Sequence, residues 1–162
     1  MSDPGEVDTL IQTGVQLADE QKFAEALACF DKALQADPKS ANAWYCKGST
    51  YSRQGCFPEA AESYLHCTRL APAEPIAWYN LGCVLEQLGR VDTALQCFEL
   101  VTQLEPTHAH AWFGKAGVLL NLNRFDEARA AFERFLALAQ TNDPLIDTAR
   151  QMVQHCSNPP RK

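Results

Sequence analysis

The segment Trp44-Tyr45-Cys46-Lys47-Gly48 returns 34 residues later as Trp78-Tyr79-Asn80-Leu81-Gly82. After another 34 it returns as Trp112-Phe113-Gly114-Lys115-Ala116. A fixed period of this size marks a repeat array. Each unit is one supersecondary element that cannot bury its apolar face alone, so it must stack on its neighbours. Set in register from Val7, the chain divides into blocks 7–40, 41–74, 75–108 and 109–142. The fourth position reads Leu10, Trp44, Trp78, Trp112, and the eighth Gly14, Gly48, Gly82, Ala116. The twentieth is always alanine (Ala26, Ala60, Ala94, Ala128) and the twenty-fourth always aromatic (Phe30, Tyr64, Phe98, Phe132). The thirty-second reads Pro38, Pro72, Pro106 and then Gln140.

Each block reads as two helices. In the third, Trp78, Leu81, Gly82 and Leu85 share one helical face. Gly89 then suits the left-handed position that ends a helix, as do Gly55 and Asn123 in their blocks. A second helix carries Ala94, Leu95, Phe98, Val101 and Leu104 up to Pro106, which cannot continue the hydrogen-bond ladder. Small residues such as Gly82 and Ala94 let paired helices approach, and large ones such as Trp78 and Phe98 fill the seam. Tryptophan at the fourth position is expected to turn inward and lock its pair, at about 3–5 kcal/mol if fully buried.

This pattern resembles that of the tetratricopeptide repeat (TPR) family: Trp44, Gly48, Tyr51, Ala60, Tyr64 and Pro72 in one block, and Trp78, Leu81, Gly82, Ala94, Phe98 and Pro106 in the next. The resemblance covers roughly Val7 to Asn142. It implies an all-α fold, a right-handed α-solenoid of antiparallel helix pairs (a TPR superhelix), with four repeats at 7–142. The departures are Leu10 in place of tryptophan, Thr13, Lys47 and Lys115 at the apolar seventh position, and Gln140 in place of proline. The last substitution predicts a longer eighth helix. A capping helix over 143–156 is then expected, with Asp143 as N-cap and Pro144 as first helical residue. Its stripe of Ile146, Ala149, Val153 and Cys156 would cover the last repeat, opposite Asp147, Arg150 and Gln154. Residues 1–6 and 157–162 are expected to be flexible.

Composition narrows the function. With a net charge of -6 and a pI near 5.1, the chain lacks the basic stripe of a nucleic-acid binder. No apolar run reaches the roughly 20 residues of a membrane span, and the N-terminus carries no secretory pattern. A cytoplasmic protein with no membrane insertion is expected. The seven cysteines are odd in number, contain no C-x-x-C pair and read as reduced packing thiols. No phosphate-binding, serine-hydrolase or zinc-protease motif is present, and His108, His110 and His155-Cys156 complete no metal set. The expectation is therefore no enzyme, no cofactor and no metal, with a low-pKa groove cysteine as the sole route to catalysis.

Stacked helix pairs enclose a concave face, which the resemblance assigns to the first helix of each pair. Positions two, five, six, nine and thirteen should line it, because four, eight and eleven face the partner helix. The candidate peptide-binding groove is Asn42, Tyr45, Cys46, Ser49 and Arg53; Ile76, Tyr79, Asn80, Cys83 and Gln87; and His110, Phe113, Gly114, Gly117 and Asn121. Block one adds Asp8, Ile11, Gln12, Val15 and Asp19. Tyr45, Tyr79 and Phe113 form an aromatic ladder that either grips a ligand or packs on its neighbours and shapes the groove. Gly114 and Gly117 either leave a shallow spot for a ligand or serve close helix packing.

The chaperone-tail subgroup of this family holds a terminal carboxylate with lysine, asparagine and arginine. The matching positions here read Ile11, Val15, Cys46, Ile76 and Asn80, or Tyr45, Ser49, Asn80, His110 and Gly114. Only Asn80 fits, and a buried carboxylate would lack its counter-charge. The reading is a co-chaperone-like but non-catalytic adaptor. Its protein or peptide ligand should have apolar anchors and should not be a carboxylate-clamp chaperone tail. The alternatives are a bacterial secretion-type TPR chaperone and a structural scaffold with weak self-association through its end faces or cysteines.

Overall fold

A computed structural model describes residues 4–157, and all regular structure among them is helical. The helices are α1 (Pro4–Asp19), α2 (Phe23–Ala36), α3 (Ala41–Arg53), α4 (Phe57–Leu70), α5 (Pro75–Gln87), α6 (Val91–Leu104), α7 (Ala109–Asn121), α8 (Phe125–Leu138) and α9 (Ile146–Ser157). The chain divides inside α5 into two compact units, Met1–Val84 and Leu85–Lys162. In the first unit α1 packs on α2, α2 on α3, α3 on α4, and the neighbouring first helices α1 and α3 touch. In the second α6 packs on α7, α7 on α8 and α8 on α9.

The three-residue turns inside the pairs share one hydrogen-bond pattern. Lys22, Cys56, Arg90 and Arg124 each donate a backbone N–H to the carbonyl five residues back, at 2.8–3.0 Å. The preceding residue is left-handed: Gln21 (φ 61°), Gly55 (75°), Gly89 (70°) and Asn123 (57°). This is the Schellman closure of a helix C-terminus. At the eighth position a Cβ built on Gly14 would stand 2.6 Å from the Phe30 ring, and one on Gly48 2.9 Å from Tyr64. Those glycines let each first helix lie against the aromatic of its own second helix. Ala26, Phe30, Ala60, Tyr64, Ala94, Phe98, Ala128 and Phe132 are all buried.

Several expectations are corrected. The tryptophans are half-buried and do not turn fully inward. Each indole Nε1 donates to the proline carbonyl six residues earlier: Trp44 to Pro38 at 3.1 Å, Trp78 to Pro72 and Trp112 to Pro106 at 2.9 Å. Tryptophan and proline are thus one device that fixes the start of a first helix on the loop before it. This also explains Gln140: the residue six later is Ile146, so there is no indole to receive. Nor does α8 run longer for want of the proline. It ends at Leu138, in step with α2, α4 and α6, because Ala139 is extended (ψ 143°).

The last helix begins at Ile146, two residues later than expected. Asp143 closes a turn before it, accepting from Leu145 N at 2.9 Å, where an N-cap would have led directly into helix. Ala149 and Cys156 are buried and Asp147, Arg150 and Gln154 exposed, as the stripe requires. At the other end α1 starts at Pro4, a residue suited to a first helical turn. The flexible segment expected over 1–6 is therefore helical from residue 4, while residues 1–3 and 158–162 lie outside the described residues. The lysines at position seven have partners: Lys47 Nζ meets Asp31 at 2.6 Å and lies 5.4 Å over the Trp44 ring, while Lys115 meets Glu99 at 3.6 Å and lies 5.5 Å over Trp112.

Candidate peptide-binding site

In the Met1–Val84 unit, Tyr45 stands between two hollows. One, of about 480 Å³, is lined by Ala41, Asn42, Tyr45, Cys67, Ala71, Glu74, Ile76 and Ala77. It opens where α3 and α5 begin, because small side chains at Ala41, Ala71 and Ala77 leave the space unfilled. The other, of about 180 Å³, lies between α1 and α3 and takes its apolar walls from Val15, Ala18, Phe30 and Cys46. Tyr45 is held from two sides. Its ring tilts on Tyr64 at 5.8 Å, and its hydroxyl accepts from Asn80 Nδ2 at 3.1 Å. Burial raises the Tyr45 pKa, so the phenol stays neutral. Val15 (40% exposed) and Ile76 (44%) stand at the two rims as exposed aliphatics.

The polar groups here are already engaged. The Cys46 thiol donates to Asn42 Oδ1 at 3.7 Å, and burial pushes its pKa up to about 11. It is therefore not the low-pKa cysteine that nucleophilic chemistry needs. Arg53 reaches Asp19 at 3.1 Å, and Ser49 hydrogen-bonds with Tyr64.

In the Leu85–Lys162 unit, Phe113 packs edge-on against Phe132 (5.4 Å) and Phe135 (5.1 Å). A Cβ on Gly114 would stand 2.8 Å from the Phe98 ring. Gly114 therefore serves helix packing, and its reading as a ligand opening is corrected. Gly117 differs: a Cβ there meets only Glu86 Oε1, at 3.9 Å. His110 Nε2 lies 3.2 Å from Asp143 Oδ2, beside a hollow of about 500 Å³ lined by Ala109, Ala139, Asn142 and Pro144 among others.

Family models for the tetratricopeptide repeat match residues 47–106 and 79–143, and one for the TPR repeat matches 14–55. The chain belongs to the tetratricopeptide repeat family. No curated protein matches the sequence. Among solved structures, this TPR chain is similar to MamA at 21% identity, over 93% of this chain and 80% of that one, with TM-score 0.86. A second MamA, residues 41 to the end from Desulfovibrio magneticus RS-1, gives 21% identity over 86% and 79% with TM-score 0.77. YrrB, described as a TPR protein with an unusual peptide-binding site, gives 26% identity over 91% and 74% with TM-score 0.81.

The TPR register places the candidate residues in three groups. Asn42, Tyr45, Cys46, Ser49, Arg53 and Ile76 line the two hollows. Asn80 supports Tyr45, while Tyr79 and Cys83 are half-buried on α5. Gln87, His110 and Asn121 are exposed on their own helices and Phe113 is packed into its unit. The repeat register does not point to Cys67, Ala71, Glu74 or Ala77, which also line the larger hollow. The first three belong to the second helix and the loop after it, which a rule based on first helices passes over. The run of small residues at Ala41, Ala71 and Ala77 was the signal that could have found them.

Proposed function

We propose that this chain is a non-catalytic adaptor that binds a peptide segment of a partner protein through apolar anchors seated on either side of Tyr45. The observation that carries the reading is the pair of hollows, apolar over most of their walls, separated by one aromatic that is pinned on its ring face and at its hydroxyl. A rigid aromatic wall between two recesses suits alternate side chains of a bound segment. The peptide-binding site named for YrrB supports the same use of this fold. The ligand is not a carboxylate-terminated tail, because Asn80 is the one matching residue and no lysine or arginine stands at the other matching positions. The working organisation is four repeats over 7–142 closed by α9, acting in the cytoplasm.

The test is to pan a random peptide library on the full chain, then measure a selected peptide by fluorescence anisotropy. Ile76→Glu and Val15→Glu alter only exposed rims, so circular dichroism should be unchanged while affinity falls about tenfold or more. Unchanged affinity in both variants would overturn the reading.

A further inference from the structure

Every bound of α3 and α4 moves by 68 residues onto α7 and α8, so the chain carries the same helix pair twice, once in each unit. The aromatic frame of the pair is repeated as well. Tyr45 leans on Tyr64 at 5.8 Å and 58°, and Phe113 on Phe132 at 5.4 Å and 76°. Tyr64 and Phe132 are both buried. The pairs part three residues further along the same face of the second helix, where Cys67 stands in one and Phe135 in the other.

In the α7–α8 pair the Phe135 ring is wholly buried, edge-on to Phe113 at 5.1 Å and to His110 at 6.1 Å. Phe113 and His110 correspond to Tyr45 and Asn42, which wall the larger hollow of the α3–α4 pair together with Cys67. The hollow beside α7 keeps Ala109, His110 and Ala139 in its wall but touches neither Phe113 nor Phe135. One pair therefore holds a ring where the other holds space. The frame that would receive the ring is intact, since Tyr45 is fixed by Tyr64 and by Asn80 Nδ2. Cys67 is only 3% exposed, and burial raises its pKa, so the thiol stays neutral. A neutral sulfur makes a favourable contact with the edge of an aromatic ring.

We infer that the larger hollow takes an aromatic side chain of the bound segment, a phenylalanine or tyrosine whose ring stands on Cys67 and meets Tyr45 edge-on, as Phe135 meets Phe113 within the chain. Cys67 is then the residue that sets the anchor, because its small volume omits the ring that the partner supplies. This rests on the peptide-binding reading and adds the class of one anchor and the residue that selects it. An aliphatic anchor would fill the same space without the edge-to-face contact open to a ring.

The experiment pans a random twelve-residue peptide library on the full chain and measures a selected peptide on two variants that fill the hollow. Cys67→Phe restores the ring that the other pair carries. Ala71→Leu narrows the hollow from a half-buried position at the end of α4. Circular dichroism checks both, and if Cys67→Phe does not fold, Ala71→Leu carries the test. The expected result is Phe or Tyr at one fixed position of the selected peptides. On wild type, exchanging that residue for Leu should cost about tenfold in affinity and for Ala about thirtyfold. On either variant the parent peptide should weaken to the level of its Leu version, so that the preference for a ring disappears from the double-mutant cycle. Peptides that bind and are lost with Ile76→Glu, yet carry aliphatic anchors or keep a tenfold ring preference on both variants, sink this inference and leave the peptide-binding reading standing. A wild-type dimer in sedimentation that both variants dissolve would put a second copy in the hollow and also overturn it. Capture of no peptide at all removes the peptide-binding reading and this inference with it.

Discussion

The hollow in front of Tyr45 and its counterpart 68 residues on have nearly the same size, about 480 and 500 Å³, and opposite chemistry. Ala41 and Ala71 recur as Ala109 and Ala139, so the backbone frame is shared. The other six lining positions are exchanged: Asn42 becomes His110, Tyr45 becomes Phe113, Cys67 becomes Phe135, Glu74 becomes Asn142, Ile76 becomes Pro144 and Ala77 becomes Leu145. The larger ring of Phe135 is fully buried and packs edge-on against both Phe113 and His110. It fills the floor that Cys67 leaves low, and the remaining space moves off the aromatic toward the polar turn at Gln140 and Asp143. One repeat frame therefore gives an apolar recess or a packed, polar one, according to the residues set into it, the largest gain in volume being Cys67 to Phe135 on the second helix.

Exchanging that residue tests the comparison most severely. Phe135→Cys should cost about 3 kcal/mol, since a buried phenylalanine truncated to a small side chain loses transfer energy and leaves a cavity. Urea unfolding measures it, and a cost below about 1 kcal/mol would mean that Phe135 does not hold α7 against α8. The reverse exchange, Cys67→Phe, should overpack by about 1–3 kcal/mol. It should also abolish binding of a library-selected peptide by closing the larger hollow.

Next in size is the pair of glycines on α7. Gly114 answers to Cys46 and Gly117 to Ser49. Cys46 has room beside Phe30, whereas Phe98 occupies the place a side chain at 114 would need. Gly114→Cys is therefore expected to destabilise by about 1–3 kcal/mol. A Cβ at Gly117 meets nothing closer than 3.9 Å, so Gly117→Ser should stay within about 0.5 kcal/mol of wild type. Equal effects at the two sites in chemical unfolding would remove the distinction between a packing glycine and an open one. Smaller again is Gln21, whose left-handed backbone corresponds to Asn123 in the other unit. Gln21→Gly should stabilise by up to about 1 kcal/mol, and Asn123→Gly by less because asparagine tolerates that conformation better.

The sequence carries the fold because its constraints are steric and recur every 34 residues. A glycine under an aromatic ring, a left-handed residue after each first helix and an alanine at the crossing each admit few side chains, so the period is visible in residue types alone. The site is less legible. Its first-helix residues follow from the register, yet what makes the recess is absence of volume at Ala71, Ala77 and Cys67, and absence leaves little mark in a sequence. Trp44 and Pro38 show the same limit. Residue type gives each a separate role, packing and helix stopping, while the indole-to-carbonyl bond that joins them depends on geometry six residues apart. Gly114 and Gly117 look alike on paper, and only the position of Phe98 tells them apart.

The smallest expected effect bears on the second exchange between the units, Ala18 for Glu86. Ala18 is buried and costs nothing to desolvate as a charge, whereas burial raises the Glu86 pKa. A carboxyl with a raised folded-state pKa binds its proton more tightly in the native chain than in the unfolded one. Its stabilising contribution is complete below the ordinary glutamate range and is lost as pH rises through the folded value. Glu86→Gln removes that loss. Without a ligand the variant should match wild type in urea midpoint near pH 4 and exceed it slightly at pH 7, by an amount reduced because the group is still partly in water. A variant less stable than wild type at pH 7 would show that the carboxylate is already engaged within the chain, and the contrast with Ala18 would then be one of packing rather than of charge.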